Sequence, residues 1–424
     1  MARVLVLGAT GFIGRHITMV LERAGHDVIR GVRHPPAGHD EHYVAIDYLH
    51  DHDAAQWVPR VLSVDAVVNA VGILRERGDI TFEALHVRAP AALFRACVQA
   101  GVPRVVQISA LGADDEARSG YHRSKKAADD VLAALPISSA IVQPSLVYGG
   151  DGTSARLFTA MAALPLVPLP GEGSQRVQPV HVDDVAALVA RLVGTSAHVT
   201  GRIAAVGARA ITMREWLATL RAGMQLPRAR FLRVPRTVVG LGAAVGDVFP
   251  RALLDSETLA MLERGNTASP ENMTTILGRA PRDPSSFIDA QFARPLATAA
   301  KLRWLLPVLR AAVAALWIAT GIVSLGLYPV EASYALLART GITGTAAVVA
   351  LYGAALLDLA LGIGVYAVRR RRWLWRAQIA LVLAYTAIIT INLPEYWLHP
   401  YGPLTKNLPL LAALLLLHEL EEEA

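Results

Sequence analysis

The last stretch of about 120 residues constrains this chain more than anything that precedes it. Leu305 to Tyr328 reads LLPVLRAAVAALWIATGIVSLGLY with Arg310 its one charge, and Thr343 to Val368 carries Asp358 alone. Ala377 to Leu393 carries no charge. Each run reaches or approaches the roughly 20 apolar residues that cross a bilayer. Hydrocarbon offers no water to unpaired backbone groups, so such runs must be helical. A fourth run, Leu404 to Leu417, is shorter and holds Lys406 near its start, which suits a short span or an interfacial helix. The pattern predicts an all-α transmembrane bundle of about four helices, with spans near 305–328, 343–368, 376–393 and 404–418.

Composition points the same way. The 424 residues are 53% hydrophobic and 18% charged, against the roughly 25% charged usual in soluble domains. A net charge of +6 raises nucleic acid or an anionic membrane as partners, and the placement of the arginines decides between them. Arg369 to Arg372 and Arg376 fall between the second and third runs, and Lys301 and Arg303 precede the first. The stretches 329–342 and 394–406, expected as loops, hold one basic residue each, Arg339 and Lys406. By the positive-inside rule 369–376 is cytoplasmic, as are both termini and the acidic end Glu419, Glu421, Glu422 and Glu423. The basic balance therefore reads as membrane topology: a lipid bilayer is the expected partner, and no nucleic acid. Trp373, Trp375, Trp397 and Tyr401 fall at the expected interfaces. A single cysteine, Cys97, excludes an intramolecular disulfide and fits a reducing compartment. No His/Cys cluster has metal-ligand spacing, so no metal is expected.

The amino-terminal part alternates strands and helices. Arg3–Leu7 reads as a strand, broken at once by Gly8, Gly11 and Gly14, which argues against a signal peptide. A helical pattern follows to Gly25, then strands at 27–32, 43–46, 66–71, 104–109 and 137–142, with helical stretches at about 81–100 and 121–134. This is the pattern of a Rossmann-type, doubly wound parallel α/β sheet. Within it the loop Gly8-Ala-Thr10-Gly11-Phe12-Ile13-Gly14 acquires a purpose: a tight turn after the first strand lets backbone N–H groups at a helix N-terminus meet a pyrophosphate. After the second strand no carboxylate stands ready for the adenosine ribose; Arg33, with Arg15 just past the loop, suits a 2′-phosphate instead. NADP is the expected cofactor, with NAD possible.

Tyr121-His-Arg-Ser-Lys125 places a phenol and an ammonium on one helix face, where the cation is expected to lower the Tyr pKa for acid–base work. Ser109, at the end of the fifth strand, is placed to hydrogen-bond a substrate carbonyl. Taken together, GATGFIG at 8–14, Asn69-Ala70-Val71-Gly72, Ser109, Tyr121-xxx-Lys125, the 144–149 segment PSLVYG and the 178–184 segment QPVHVDD resemble the atypical short-chain dehydrogenase/reductases, the epimerase-like proteins near the complex I accessory subunit. The resemblance covers roughly 1–295. It implies Tyr121 as acid/base, Lys125 on the nicotinamide ribose, Ser109 on the substrate carbonyl and the loop glycines around the pyrophosphate. It also implies Asp47 near the adenine, with Asn69 and Ala70 lining the cofactor cleft. Gln143 departs from the arginine of many relatives, which weakens a nucleotide-sugar substrate. His181 reads as a satisfied structural group. The carboxyl-terminal unit resembles the DoxX-like membrane domains.

The expected domains are a Rossmann unit over 1–225, a substrate-side or membrane-proximal segment over 226–300 and the membrane domain over 301–424. Two functions follow. One is a membrane-anchored oxidoreductase or epimerase acting on a small, lipophilic carbonyl substrate, in a bacterial-type inner membrane with the Rossmann unit cytoplasmic. The other is a non-catalytic NADP(H)-binding assembly or scaffold protein. Asp358, near mid-span, is expected to pair with Arg310 or to handle protons, and Arg310 alternatively snorkels.

Overall fold

In the computed structural model, all residues are described except 37, 39–41, 195–198, 249–254, 369–370 and 422–424. The chain divides into two compact units, Met1–Ala300 and Lys301–Ala424.

The first unit is built on seven parallel strands: β1 (Arg3–Leu7), β2 (Asp27–Val32), β3 (Tyr43–Ala45), β4 (Ala66–Asn69), β5 (Arg104–Ile108), β6 (Ser139–Pro144) and a strand at Gly201–Ala205, which becomes β11. They lie in the order β11-β6-β5-β4-β1-β2-β3. Alternation explains why both faces are covered: Val4 and Val6 enter one core with Ile17, Leu21 and Val185, whereas Leu5 and Leu7 enter the other with Trp57, Leu93 and Phe94. The covering helices are α1 (Phe12–Arg23), α2 (Ala54–Val61), α3 (Ala89–Gln99) and α4 (Gly120–Ala134), with others that come later in the chain. Strand order reverses at β1, whose neighbours are β2 and β4. The loops leaving β1 and β4 diverge there, which opens the crevice where such sheets bind ligands.

Beyond β6 the chain adds β7 (Val147–Tyr148), α5 (Thr153–Ala163), β8 (Val167–Pro170), β9 (Arg176–Val177), β10 (Val180–His181) and α6 (Val182–Val193). After β11 come β12 (Ile211–Thr212), α7 (Met213–Gly223), β13 (Phe231–Val234), α8 (Arg236–Val248), α9 (Ser256–Arg264) and α10 (Glu271–Leu277). A third core joins Tyr148, Leu169, Trp216, Leu217 and Phe287. His181 is a helix cap, its Nδ1 accepting from Asp183 N–H at 3.3 Å with its ring against Phe287. Asp184 is wholly buried and accepts from Arg279 at 2.5 Å, tying α6 to the segment beyond α10. Within the Pro- and Arg-rich stretch, Phe231–Val234 forms β13, parallel to β8, and Arg236–Val248 forms α8.

The second unit takes in residues 301–322 of α11 (Ala290–Ile322), which continues through a π-turn to Leu327. α12 (Val330–Arg339), α13 (Gly344–Ala367), α14 (Arg372–Asn392) and α15 (Asn407–Leu420) follow. Three helices are long and apolar enough to cross a membrane, Ala290–Leu327, Gly344–Ala367 and Arg372–Asn392, and α15 is shorter. Where a loop was expected at 329–342 there is α12, with Glu331 in its first turn and Arg339 in its last, each matched to the helix dipole. The expected Arg310–Asp358 pair does not form. Arg310 reaches Glu421 at 3.0 Å, and Glu421 also takes Arg371 at 2.8 Å and the Trp375 indole N–H at 3.2 Å. A carboxylate of the acidic end, expected to be cytoplasmic, is thus buried between two arginines. Asp358 is buried, with one carboxyl oxygen lacking a hydrogen-bond partner among the described residues. Arg369, Arg370, Glu422 and Glu423 lie outside the described residues.

Candidate active site

The turn between β1 and α1 is possible only with glycine. Gly8 has φ +75°, and a Cβ on Gly14 would stand 2.0 Å from the Gly8 carbonyl oxygen. Gly11 N–H closes the turn onto that same oxygen at 2.9 Å. Gly11 is also the N-cap of α1, so no side chain caps the helix and no carboxylate occupies its first turn. The first N–H groups therefore point out of a loop with no side-chain bulk, beside exposed Thr10 and half-buried Phe12 and Ile13. This geometry fits a pyrophosphate. A Cβ on Gly8 would meet the Ala70 backbone at 3.0 Å, so the loops leaving β1 and β4 border one cleft.

α4 begins at Ser119, whose hydroxyl accepts from His122 N–H at 3.1 Å. One face of α4 carries Tyr121, Lys125 and Asp129 at successive i, i+4 positions. The Lys125 ammonium donates to the carbonyls of Ile108 (3.1 Å) and Val71 (3.3 Å), joining α4 to the ends of β5 and β4. Burial lowers its pKa to about 8. Tyr121 is half-buried among the rings of Phe82, His86 and His122. Its phenol is not lowered as expected; burial first, and the nearby Asp129 second, push it up to about 12. Ser109 is also differently engaged: its hydroxyl donates to Asp129 Oδ2 at 2.5 Å, inward rather than toward a substrate. Asp129 itself has no solvent exposure, and burial raises its carboxyl to about 6 against the lowering pull of Ser109 and Lys125.

Two other expected contacts are placed differently from the sequence reading. Asn69 is wholly buried, accepting from Tyr48 Oη (2.8 Å) and Val71 N–H (3.2 Å) and donating to Gln107 (2.8 Å), so its side chain clamps the strand ends instead of lining the cleft. Arg15 is ion-paired with Asp151, which separates it from Arg33 as a joint phosphate site. Arg33 is exposed at the end of β2, and Asp47 lies near it beyond β3. The hydrogen bond from His50, and to a smaller degree the Arg33 charge, hold the Asp47 carboxyl below its usual range.

Two features were missed by sequence reasoning. His86 sits on a π-helical turn, Glu83–Arg88. Its Nε2 accepts from Ile73 N–H at 3.0 Å, which leaves the proton on Nδ1 to donate to Ser124 Oγ at 2.9 Å. The Ser124 hydroxyl in turn donates to the Tyr121 carbonyl at 2.8 Å. Burial holds this imidazole down at about 2, so it stays neutral. The second feature is α9, which latches onto the loop before Tyr121. Glu257 accepts from Gly120 N–H at 2.5 Å, and Arg264 holds Asp114 at 2.6 Å and the Gly112 carbonyl at 2.9 Å. Among the described residues no group of three or more His, Cys, Asp or Glu side chains is arranged to hold a metal.

Residues 4–207 match the NAD dependent epimerase/dehydratase family, and residues 314–415 the DoxX-like family. The chain is 30% identical over 190 residues to the ceramide reductase of Caulobacter vibrioides, covering 43% of this chain and 58% of that one. It is 28% identical over 254 residues to NADH dehydrogenase [ubiquinone] 1 alpha subcomplex subunit 9 of Arabidopsis thaliana, covering 57% and 62%. The chain thus spans about three fifths of the length of these relatives. A human epimerase family protein solved with NADPH superposes with a TM-score of 0.53 at 21% identity, over 70% of this chain and 99% of that one.

Proposed function

We propose that this chain, an epimerase/dehydratase-type Rossmann domain followed by a DoxX-like membrane domain, is a membrane-anchored NADP(H)-dependent oxidoreductase that reduces a lipophilic carbonyl. The observation that carries this reading is the single face of α4 on which Tyr121, Lys125 and Asp129 stand, pinned by Lys125 to the loop that borders the glycine turn. Gly8, Gly11 and Gly14 would hold a pyrophosphate, Lys125 a nicotinamide ribose, and Arg33, the exposed cation beyond β2, a 2′-phosphate. A bound nicotinamide supplies hydride.

The chain's own groups supply the proton. Burial keeps the Tyr121 phenol protonated near neutrality, the form in which Oη can act as a general acid. As hydride reaches the carbonyl carbon, Oη gives its proton to the carbonyl oxygen, and the phenolate left behind is stabilised by the Lys125 ammonium until solvent reprotonates it. With its proton directed to Asp129, Ser109 Oγ offers a lone pair and acts in positioning. The ceramide reductase relative supports a lipid-like substrate, and the Arg371, Arg372 and Arg376 cluster supports a cytoplasmic Rossmann domain on a bacterial-type inner membrane.

A second reading, a dinucleotide-binding assembly protein, is favoured by the inward-turned Ser109 proton. Titration of the full chain with NADPH and NADH, followed by nicotinamide fluorescence, tests both. We expect NADPH to bind at least about tenfold more tightly, a gain worth about 1.4 kcal/mol, and Arg33→Glu to erase that preference. Equal affinities would sink the NADP assignment. Tyr121→Phe should bind NADPH unchanged yet lose carbonyl reduction; a variant that keeps full biological function would favour the assembly role.

A further inference from the structure

We infer that α8 is a membrane-surface helix that seats on an anionic lipid bilayer and ties the loops of the Tyr121 site to that surface. Val239 and Ala243 turn inward on α8 and are buried, whereas Val238, Leu241 and Val245 are 53%, 69% and 59% exposed. At 100° per residue those three fall within about 60° of one another, on the side away from the buried pair. Between Arg236 and Asp247 no charge interrupts the helix, so the exposed stripe is apolar with no solvating face of its own. Leu232 on the preceding strand extends it, 48% exposed.

The rim of the stripe is cationic. Arg228, Arg230, Arg233 and Arg236 are exposed. Arg233 meets Glu172 at 2.8 Å, and no ion-pair partner is found among the described residues for the other three side chains. At the start of α8 a cleft of about 340 Å³ is lined by Ser174, Arg176, Arg236, Glu263 and Arg264. Arg264 is engaged by Asp114 and Arg176 donates to the Ala210 carbonyl at 3.2 Å, which leaves Arg236, beside the helix N-terminus, to meet an anionic headgroup. An apolar stripe bordered by unpaired arginines matches the boundary between acyl chains and anionic headgroups. The bilayer itself is supplied by the membrane anchoring proposed above, on which this inference rests, since the same chain carries three helices able to cross it.

The link to chemistry is short. Asp247, near the end of α8, accepts from Ser256 N–H (2.9 Å) and Oγ (2.6 Å) at the start of α9. α9 in turn holds Gly112, Asp114 and Gly120, immediately before Tyr121. Seating of α8 therefore fixes the loops that frame the site at the surface where a lipophilic substrate resides.

The test is Leu241→Cys in the full chain, labelled with a nitrobenzoxadiazole dye and reconstituted in phosphatidylcholine vesicles with or without a minority of phosphatidylglycerol. Unmutated protein serves as the labelling blank, because Cys97 is wholly buried. We expect several-fold quenching by lipids doxyl-labelled near the headgroup, stronger with phosphatidylglycerol, and loss of that increment in the Arg228→Gln/Arg230→Gln/Arg236→Gln variant. A dye untouched by doxyl lipid overturns the inference, whether it reports water or a covering protein. No turnover enters the readout. Quenching in a protein that binds no dinucleotide would sink the oxidoreductase reading alone, and an unquenched dye in an active enzyme would sink this one alone.

Discussion

At the residue scale the most informative side chain is Asp129, which stands one helical turn beyond Lys125 and two beyond Tyr121. Its carboxyl is raised from 3.8 to about 6 by burial, so the folded state prefers the protonated acid. The stabilising effect of that proton is complete below about pH 4 and lost as pH rises through about 6. Above pH 6 the folded chain therefore carries the cost of a buried carboxylate, up to about 3 kcal/mol. Asp129→Asn keeps the acceptor for Ser109 and removes the charge. It should melt several degrees above the unmodified chain at pH 7.5, with the gap closing as pH falls to 4; thermal denaturation across that range checks it. A gap of the opposite sign, or one independent of pH, would show that Asp129 is held as a carboxylate by its neighbours. Periodicity alone put Asp129 on the Tyr121 face, but nothing local announced its burial or its bond to Ser109, 20 residues upstream.

At the scale of elements, His86 joins two of them: the loop after β4 through Ile73 and α4 through Ser124. Replacing it by alanine strands the Ile73 N–H and loosens both, at a cost of about 1–3 kcal/mol for the unsatisfied donor. His86→Ala should speed hydrogen exchange at the Ile73 amide and weaken dinucleotide binding about tenfold, whereas unchanged exchange would remove His86 from the site's scaffold. The strands, the glycine turn and the Tyr121/Lys125 face were legible because each depends on residues within a few positions. The His86 bridge was not, since a π-helical turn has no periodic signature. Nor was the α9 latch, whose contacts with the Tyr121 loop span 137 to 152 residues. The downward Tyr121 shift was misjudged for a related reason: i, i+4 spacing reports which groups share a face, but not that Lys125 is drawn to backbone carbonyls while burial governs the phenol.

On the scale of the whole molecule the two units have separate cores, and their stabilities should respond separately. Glu421 is buried between Arg310 and Arg371, and removing one member of a buried charge cluster costs about 3–5 kcal/mol. Glu421→Gln should lower the melting temperature of the detergent-solubilised chain followed at the membrane unit's tryptophans, while NADPH affinity stays unchanged. A parallel loss of NADPH binding would mean that the units are energetically coupled. These partners lie 111 and 50 residues apart, so no local pattern announces the burial of Glu421. A last consequence comes from the strand ends, where Tyr48, Asn69 and Gln107 hydrogen-bond in series with almost no exposure to water. Losing any one of them strands the other two in the dry interior, whereas exchanging the whole set for apolar residues costs far less. Relatives of this chain should therefore keep the trio or lose it together, so that its three codons change as a single unit.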